Sequence, residues 1–223
     1  MIATPDLIES LSANMKPVRR LRPPVIRALG WLLLAALVVT LLAVSQGIRP
    51  DLVQRLQQPT FAAGMVGSIL TGVLAAVAAF LVSLPDRSRL WLLLPVPAVL
   101  MWLSNIGYQC LGEWVSFGPN GVGMGEAVRC FATLVLTSLP LSLALLVMLR
   151  YAAPLRPTAV TLMGSLSVAA ITATALSLFH TGDATLMILM FNIGTGVMFV
   201  GLGSLFGSRM FSWVANRAHF AAE

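Results

Sequence analysis

The sequence predicts an all-α polytopic membrane protein, a bundle of six transmembrane helices with both termini in the cytoplasm. Apolar types make up 58% of its 223 residues, charged types make up 10%, and long uncharged windows separate the charges. An ordinary soluble domain carries roughly 25% charged residues. This composition excludes a water-soluble globular protein, a disordered chain and a nucleic-acid-binding domain. The net charge of +6 suits contact with the negative inner leaflet of a membrane.

Six uncharged windows have the length of membrane-spanning helices. They cover residues 28–48, 56–85, 90–112, 130–149, 157–182 and 184–208. A helix of about 20 apolar residues crosses a bilayer core of about 30 Å, so each window accommodates one crossing. The runs are continuous and lack the alternation of barrel strands, which favours helices. We therefore place the spans near residues 28–44, 61–84, 91–108, 131–149, 158–178 and 184–206.

The distribution of Lys and Arg predicts the orientation. With six spans, the N-terminal segment, the turns at 85–90 and 150–157 and the C-terminal tail lie on one side, and they carry eleven of the 14 Lys and Arg residues. The other side carries Arg49, Arg55 and Arg129. Because cytoplasmic loops are enriched in Lys and Arg, we expect both termini in the cytoplasm. Residues 1–27 and 209–223 would be cytoplasmic, and residues 28–208 would form the transmembrane domain.

The predicted spans contain no Asp, Glu, Lys or Arg. Ionisable groups inside a membrane mark proton relays, ion paths and substrate sites, so a pump, a proton-coupled transporter and an intramembrane hydrolase are disfavoured. Small residues at four-residue spacing, Gly64, Ser68 and Gly72, predict close helix packing. We expect a scaffold with its function at the edges, no enzymatic activity and no cofactor.

Two cysteines stand at the predicted outer edge. Cys110 ends the third span and Cys130 begins the fourth, across the longest predicted outer loop. The compartment outside a bacterial inner membrane is oxidising, so one interpretation is a structural disulfide. The other is a thiol pair that responds to oxidants or to thiophilic metal ions. His180 and Asp183 lie in the next outer turn; they are possible further metal ligands, or a solvated side chain and a helix cap.

Residues 1–27 form the largest predicted cytoplasmic segment, which we call the leading segment. Thr4-Pro5-Asp6 predicts a helix start, Leu7 and Leu11 fall on one face with Ile8 beside it, and Pro17 ends the helix. The polar face lacks the Lys and Arg of a lipid-surface helix. This favours binding in a protein groove, with contact to lipid or to the bundle as the alternative.

A series of short motifs runs through nearly the whole chain in the order of the predicted topology. The motifs are Pro17-Val18-Arg19-Arg20-Leu21-Arg22-Pro23-Pro24, Gly107-Tyr108-Gln109-Cys110, Gly118-Pro119, Arg129-Cys130, Ser138-Leu139-Pro140, Ala153-Pro154-Leu155-Arg156-Pro157 and Leu178-Phe179-His180. This series resembles the NrsF-type family of six-span bacterial anti-sigma factors. The sequence departs from that family in lacking a His near Asn192, so we do not expect His residues within the spans to hold a metal.

The resemblance implies a regulator that holds an extracytoplasmic-function (ECF) sigma factor at the inner membrane until a stress signal relieves the inhibition. It implies a redox- or metal-sensing role for Cys110 and Cys130. The residues that would face the sigma factor are Asp6, Leu7, Ile8, Leu11, Val18, Arg19, Arg20 and Leu21. The expected partners are this sigma factor and the lipid bilayer, without direct contact to nucleic acid. A small membrane thiol oxidoreductase and a structural subunit of a membrane complex are the alternatives.

Overall fold

The computed structural model describes residues 22–113, 124–149 and 157–179 together with Glu9 and Ala13, and its side chains are described except at 106–130 and 157. The elements, in chain order, are α1 (Pro24–Gln46), α2 (Leu52–Leu56), α3 (Pro59–Val82), a 3-10 helix (Arg89–Leu93), α4 (Val96–Glu113), α5 (Met124–Leu149) and α6 (Pro157–Phe179). No strand occurs in these ranges. The all-α prediction is confirmed for this part of the chain.

Within the described ranges, four helices are long and apolar enough to cross a membrane: α1, α3, the Phe131–Leu149 part of α5 and the Thr158–Phe179 part of α6. They match the predicted first, second, fourth and fifth spans within a few residues. The predicted sixth span, at 184–206, and the tail at 209–223 lie outside the described residues. Of the leading segment before residue 22, Glu9 and Ala13 are described, and both are helical and exposed.

The third predicted span is divided in the structure. The 3-10 helix Arg89–Leu93 precedes α4, which begins at Val96, whereas the apolar run predicted one helix from residue 91. Pro95 and Pro97 explain the difference, because neither has the N–H that would continue an α-helical hydrogen-bond ladder. Pro97 is tolerated in the first turn of α4, where the N–H groups have no partner within the helix.

Prolines also set the starts of the other long helices. α1, α3 and α6 each begin at a proline, whose fixed φ suits the first helical position. Gly47, with a φ of 80°, ends α1 in a conformation that glycine adopts without strain. Since α1 begins at Pro24, its first turn includes Arg27, which the sequence analysis assigned to the cytoplasmic segment.

The long helices pack as alternating antiparallel neighbours. α3 is the central element and packs against α6, α4 and α1, while α5 packs against both α1 and α6. The start of α1 and the ends of α3 and α5 therefore meet at one end of the bundle, which we call the Arg27 end. The end of α1, the starts of α3 and α5 and the end of α6 meet at the other, which we call the Arg49 end.

Among the described helices, α3 and α6 have the most extensive contact. Ser68 Oγ and Thr174 Oγ1 share a hydrogen bond of 2.8 Å, and Ser167 Oγ donates to the carbonyl of Gly72 at 2.6 Å. A Cβ on Gly72 would lie only 2.7 Å from Cγ1 of Ile171. Small residues let helix backbones approach this closely and let hydroxyls bond across the contact. The predicted packing role of the small residues of α3 is confirmed here.

Candidate functional site: the two ends of the bundle

The Arg27 end contains a buried arginine. Arg27 is 8% exposed, its Nη2 donates a hydrogen bond to the carbonyl of Met148, and its guanidinium lies 5.3 Å from the centroid of the Phe80 ring. The last carbonyls of a helix lack partners within the helix and carry partial negative charge, so a cation suits the end of α5. Nη1 of Arg27 is buried and has no hydrogen-bond partner.

Trp31 lies one turn further along α1, on the same side as Arg27. It is fully buried, and its Nε1 donates to the carbonyl of Leu141 in α5 at 3.1 Å. It belongs to an apolar cluster that joins four helices, whose members are Ala28, Trp31, Ala35, Ala76, Phe80, Val82, Leu141, Leu145, Leu149, Val160 and Val168. This cluster holds α1 against α3 and α5 at the Arg27 end.

A third side-chain hydrogen bond joins α1 and α5, this one at the Arg49 end. Thr133 Oγ1 donates to Oε1 of Gln46 at 2.8 Å. Side-chain hydrogen bonds therefore connect these two helices near both ends and in between.

Arg49 organises the opposite end of the bundle. It is 6% exposed, binds Asp51 through two hydrogen bonds of 2.7 and 2.8 Å, and lies 5.9 Å from the Phe61 ring centroid. Its backbone N–H donates to the carbonyl of Leu178 at 3.0 Å, which fastens the loop after α1 to the end of α6. Arg55 Nε also reaches Asp51, at 3.4 Å. The hydrogen bond from Arg49, followed by its positive charge, lowers the pKa of Asp51 to about 2.

Both predicted sensing cysteines belong to helices that reach the Arg49 end. Cys110 is in the last turn of α4, which runs toward this end because Trp102 packs beside Gly67 and Asn105 packs beside Gly64. Cys130 is in the early part of α5, just before Thr133. Their side chains lie outside the described part of the chain, so their pairing stays a prediction.

The other predicted site residues also lie outside the described residues. They are Asp6, Leu7, Ile8, Leu11, Val18, Arg19, Arg20 and Leu21 of the leading segment, and His180 and Asp183 of the outer turn. Within the part that is described, no three His, Cys, Asp or Glu residues lie close enough together to hold a metal ion. The metal-binding prediction for His180 and Asp183 is not tested by that observation.

Sequence reasoning missed the buried position of Arg27. It treated this residue as one cytoplasmic charge among eleven. The sequence does contain a signal for this burial. Arg27 falls in the first turn of a helix that starts at Pro24, and Trp31 follows one turn later on the same face. The partners themselves, Phe80 and Met148, are too distant in the chain for a local pattern to indicate them.

The comparison with protein families gives one match. The model of a family described as "NrsF: Negative regulator of sigma F" matches residues 11–213. No curated protein and no solved structure matches the chain. The family match includes all the described helices and both ends of the bundle.

Proposed function

Because the chain belongs to the NrsF family of negative regulators of sigma F, we propose that it is a membrane-bound anti-sigma factor that retains an ECF-type sigma factor at the bacterial inner membrane. The family match over residues 11–213 carries this proposal. Four helices apolar enough to span a membrane support a membrane location. The same family match supports a regulatory rather than an enzymatic role.

In the proposed orientation, the Arg27 end faces the cytoplasm. Among the described residues, this end carries Arg22, Arg27, Arg87 and Arg89 against Asp86. At the Arg49 end, Arg49, Arg55 and Arg129 stand against Asp51, Glu113 and Glu126, and both Arg49 and Arg55 bind Asp51. The larger positive charge at the Arg27 end agrees with the enrichment of Lys and Arg on the cytoplasmic side. With six spans, both termini would lie on the cytoplasmic side.

The leading segment is the proposed contact to the sigma factor. It joins α1 at the Arg27 end, and Glu9 and Ala13 are helical within it. An amphipathic helix binds a groove through apolar anchors spaced three or four residues apart, which Leu7, Ile8 and Leu11 provide. The basic run of Val18 to Leu21 would extend the contact toward the membrane.

In this proposal, release of the sigma factor begins at the Arg49 end of the bundle. In this proposal an oxidant or a heavy-metal ion modifies Cys110 and Cys130 on the periplasmic side. α5 contains both Cys130 and Met148, so a displacement near its start would be carried to the carbonyl that Arg27 binds. Such a signal shifts the equilibrium between the retaining and releasing states only by its difference in binding free energy between them.

Co-purification tests the retention. The full chain in detergent should retain the sigma factor, and deletion of residues 2–21 should abolish this while leaving the amount of inserted protein unchanged. Leu7→Ala combined with Leu11→Ala should act in the same direction, because both anchors are lost. The matched control is Ala13→Ser on the exposed helical surface, which should retain the sigma factor fully. If the deleted chain still retains the sigma factor and keeps its activity low, the leading segment is not the contact.

A further inference from the structure

α1 is the least buried of the four long apolar helices. Across its apolar stretch 17% of the residues are buried, against 61% in α3. Its buried residues are Arg27, Ala28, Trp31 and Ala35, all in its first half. Large side chains such as Leu33 and Leu41 are exposed on its other faces, as suits contact with lipid. The buried contact of α1 is therefore concentrated at the Arg27 end.

Two hydrogen bonds within that area join α1 to the backbone of α5. The donors, Arg27 Nη2 and Trp31 Nε1, are four residues apart and thus on one face of α1. The acceptors, the carbonyls of Met148 and Leu141, are seven residues apart, or about 10 Å along a helix with 1.5 Å rise per residue. Two hydrogen bonds at different positions along the helix axis restrict both the rotation of α1 about this axis and the shift of α1 along it.

Burial of Arg27 is unfavourable by itself. The guanidinium has a carbonyl and an aromatic face as partners, but Nη1 has no hydrogen-bond partner, and the structure shows no acidic side chain paired with Arg27 among the residues it describes. Replacing incompletely paired buried charges with apolar side chains of similar size is often neutral or stabilising. General stability of the bundle therefore does not explain an arginine at this position.

We propose that Arg27 and Trp31 are positioning residues: their hydrogen bonds to α5 fix where the leading segment leaves the bundle, and thereby set its affinity for the sigma factor. This inference rests on the proposed function. Arg22, the last residue before the two prolines that open α1, is only five residues from Arg27. A rotation or shift of α1 is therefore transmitted directly to the segment that precedes it.

The decisive variant is Arg27→Met in the full-length protein. Met is unbranched and apolar and, although shorter than Arg, fills most of the site, while it removes the charge and the hydrogen bond. We expect the affinity for the sigma factor to fall about tenfold, and the unfolding midpoint in detergent to stay the same or rise. Arg27→Lys keeps the positive charge and one hydrogen-bonding nitrogen, so it should restore part of the affinity for the sigma factor. The matched control is Thr133→Val, which removes the contact to Gln46 at the far end of the same helix pair and should change the affinity less than twofold.

A second measurement separates this inference from the proposed function. Spin labels on non-natural amino acids at the exposed positions 22 and 86 report the distance between the leading segment and the turn after α3, with both cysteines intact. Arg27→Met should broaden this distance distribution, and Thr133→Val should not. If the wild-type protein fails to retain a sigma factor, the proposed function fails, while the distances still test the positioning by themselves.

Two results would overturn the positioning role. One is an Arg27→Met variant that binds the sigma factor with wild-type affinity. The other is a loss of affinity that occurs only together with a lower unfolding midpoint, because that would make Arg27 an ordinary packing residue.

Discussion

Gly72→Ala tests whether α3 and α6 are in the close contact on which the bundle depends. The new Cβ would lie 2.7 Å from Cγ1 of Ile171 and 3.5 Å from its backbone nitrogen. Carbon atoms pack at about 3.5–4.0 Å, so the Ile171 side chain must leave its position or the helices must separate by roughly 1 Å at Gly72. The Ser167 hydroxyl, which donates to the Gly72 carbonyl at 2.6 Å, would be drawn away from its acceptor.

The expected change in the free energy of unfolding is the sum of three contributions. Overpacking of a close contact costs about 1–3 kcal/mol, and an interhelical hydrogen bond in a membrane protein contributes about 0.6 kcal/mol. Alanine in place of glycine inside a helix returns up to about 0.5–1 kcal/mol. We therefore expect Gly72→Ala to lower the free energy of unfolding by about 1–3 kcal/mol.

Gly64→Ala is the matched control, two turns earlier on the same helix. Its Cβ would lie 3.7 Å from Cβ of Asn105, an ordinary contact distance. The variant should be neutral or slightly stabilising, so the two alanine variants should differ by about 2 kcal/mol. Unfolding in mixed micelles, followed by tryptophan fluorescence, measures this difference. If Gly72→Ala is as stable as Gly64→Ala, α3 and α6 are not packed as described.

Three further predictions concern the site residues. Cys110→Ser combined with Cys130→Ser should leave retention of the sigma factor intact and abolish the transcriptional response to oxidants and heavy-metal ions; a normal response would refute the sensing role. Trp31→Phe removes the hydrogen bond to α5 and some packing, and should lower the free energy of unfolding by about 1–2 kcal/mol, again measured in mixed micelles. Asp51, with its pKa lowered from 3.8 to about 2 by Arg49, stabilises the fold fully above pH 3.8, and this contribution is lost as the pH falls toward 2. The difference in unfolding midpoint between the wild type and Asp51→Asn should thus stay constant from about pH 5 to 8 and shrink below about pH 4; a difference that changes near neutral pH would contradict the depressed pKa.

The sequence predicted the long helices because the determining signal is local. An uncharged run of the right length specifies a membrane-spanning helix almost independently of the rest of the chain, and α1, α3, α5 and α6 agree with it. The same reasoning treated residues 91–108 as one helix, because hydropathy does not register the N–H groups that Pro95 and Pro97 lack. Small residues at four-residue spacing correctly indicated the packing surface of α3.

The ends of the bundle were less predictable, because their contacts are made across the fold. The bond between Arg27 and the Met148 carbonyl joins residues 121 positions apart. A count of charges cannot distinguish a buried arginine from one in solvent. Arg49 and Asp51 are two positions apart, so their ion pair is a local contact. The hydrogen bond from the Arg49 N–H to the carbonyl of Leu178, which joins this pair to the end of α6, is not local.

The proline at the start of α1 lets this helix begin without a side-chain cap from the preceding residues. Pro24 has no N–H to donate backward, no side chain caps this helix start, and Arg27 and Trp31 hold α1 from within. Among the described residues, the first turn of α1 therefore takes no side-chain cap from the chain before Pro24. Under the proposed function, we expect a chimera that joins the first 22 residues of another family member to Pro23 of this chain to keep this helix start and to take its partner specificity from the new segment.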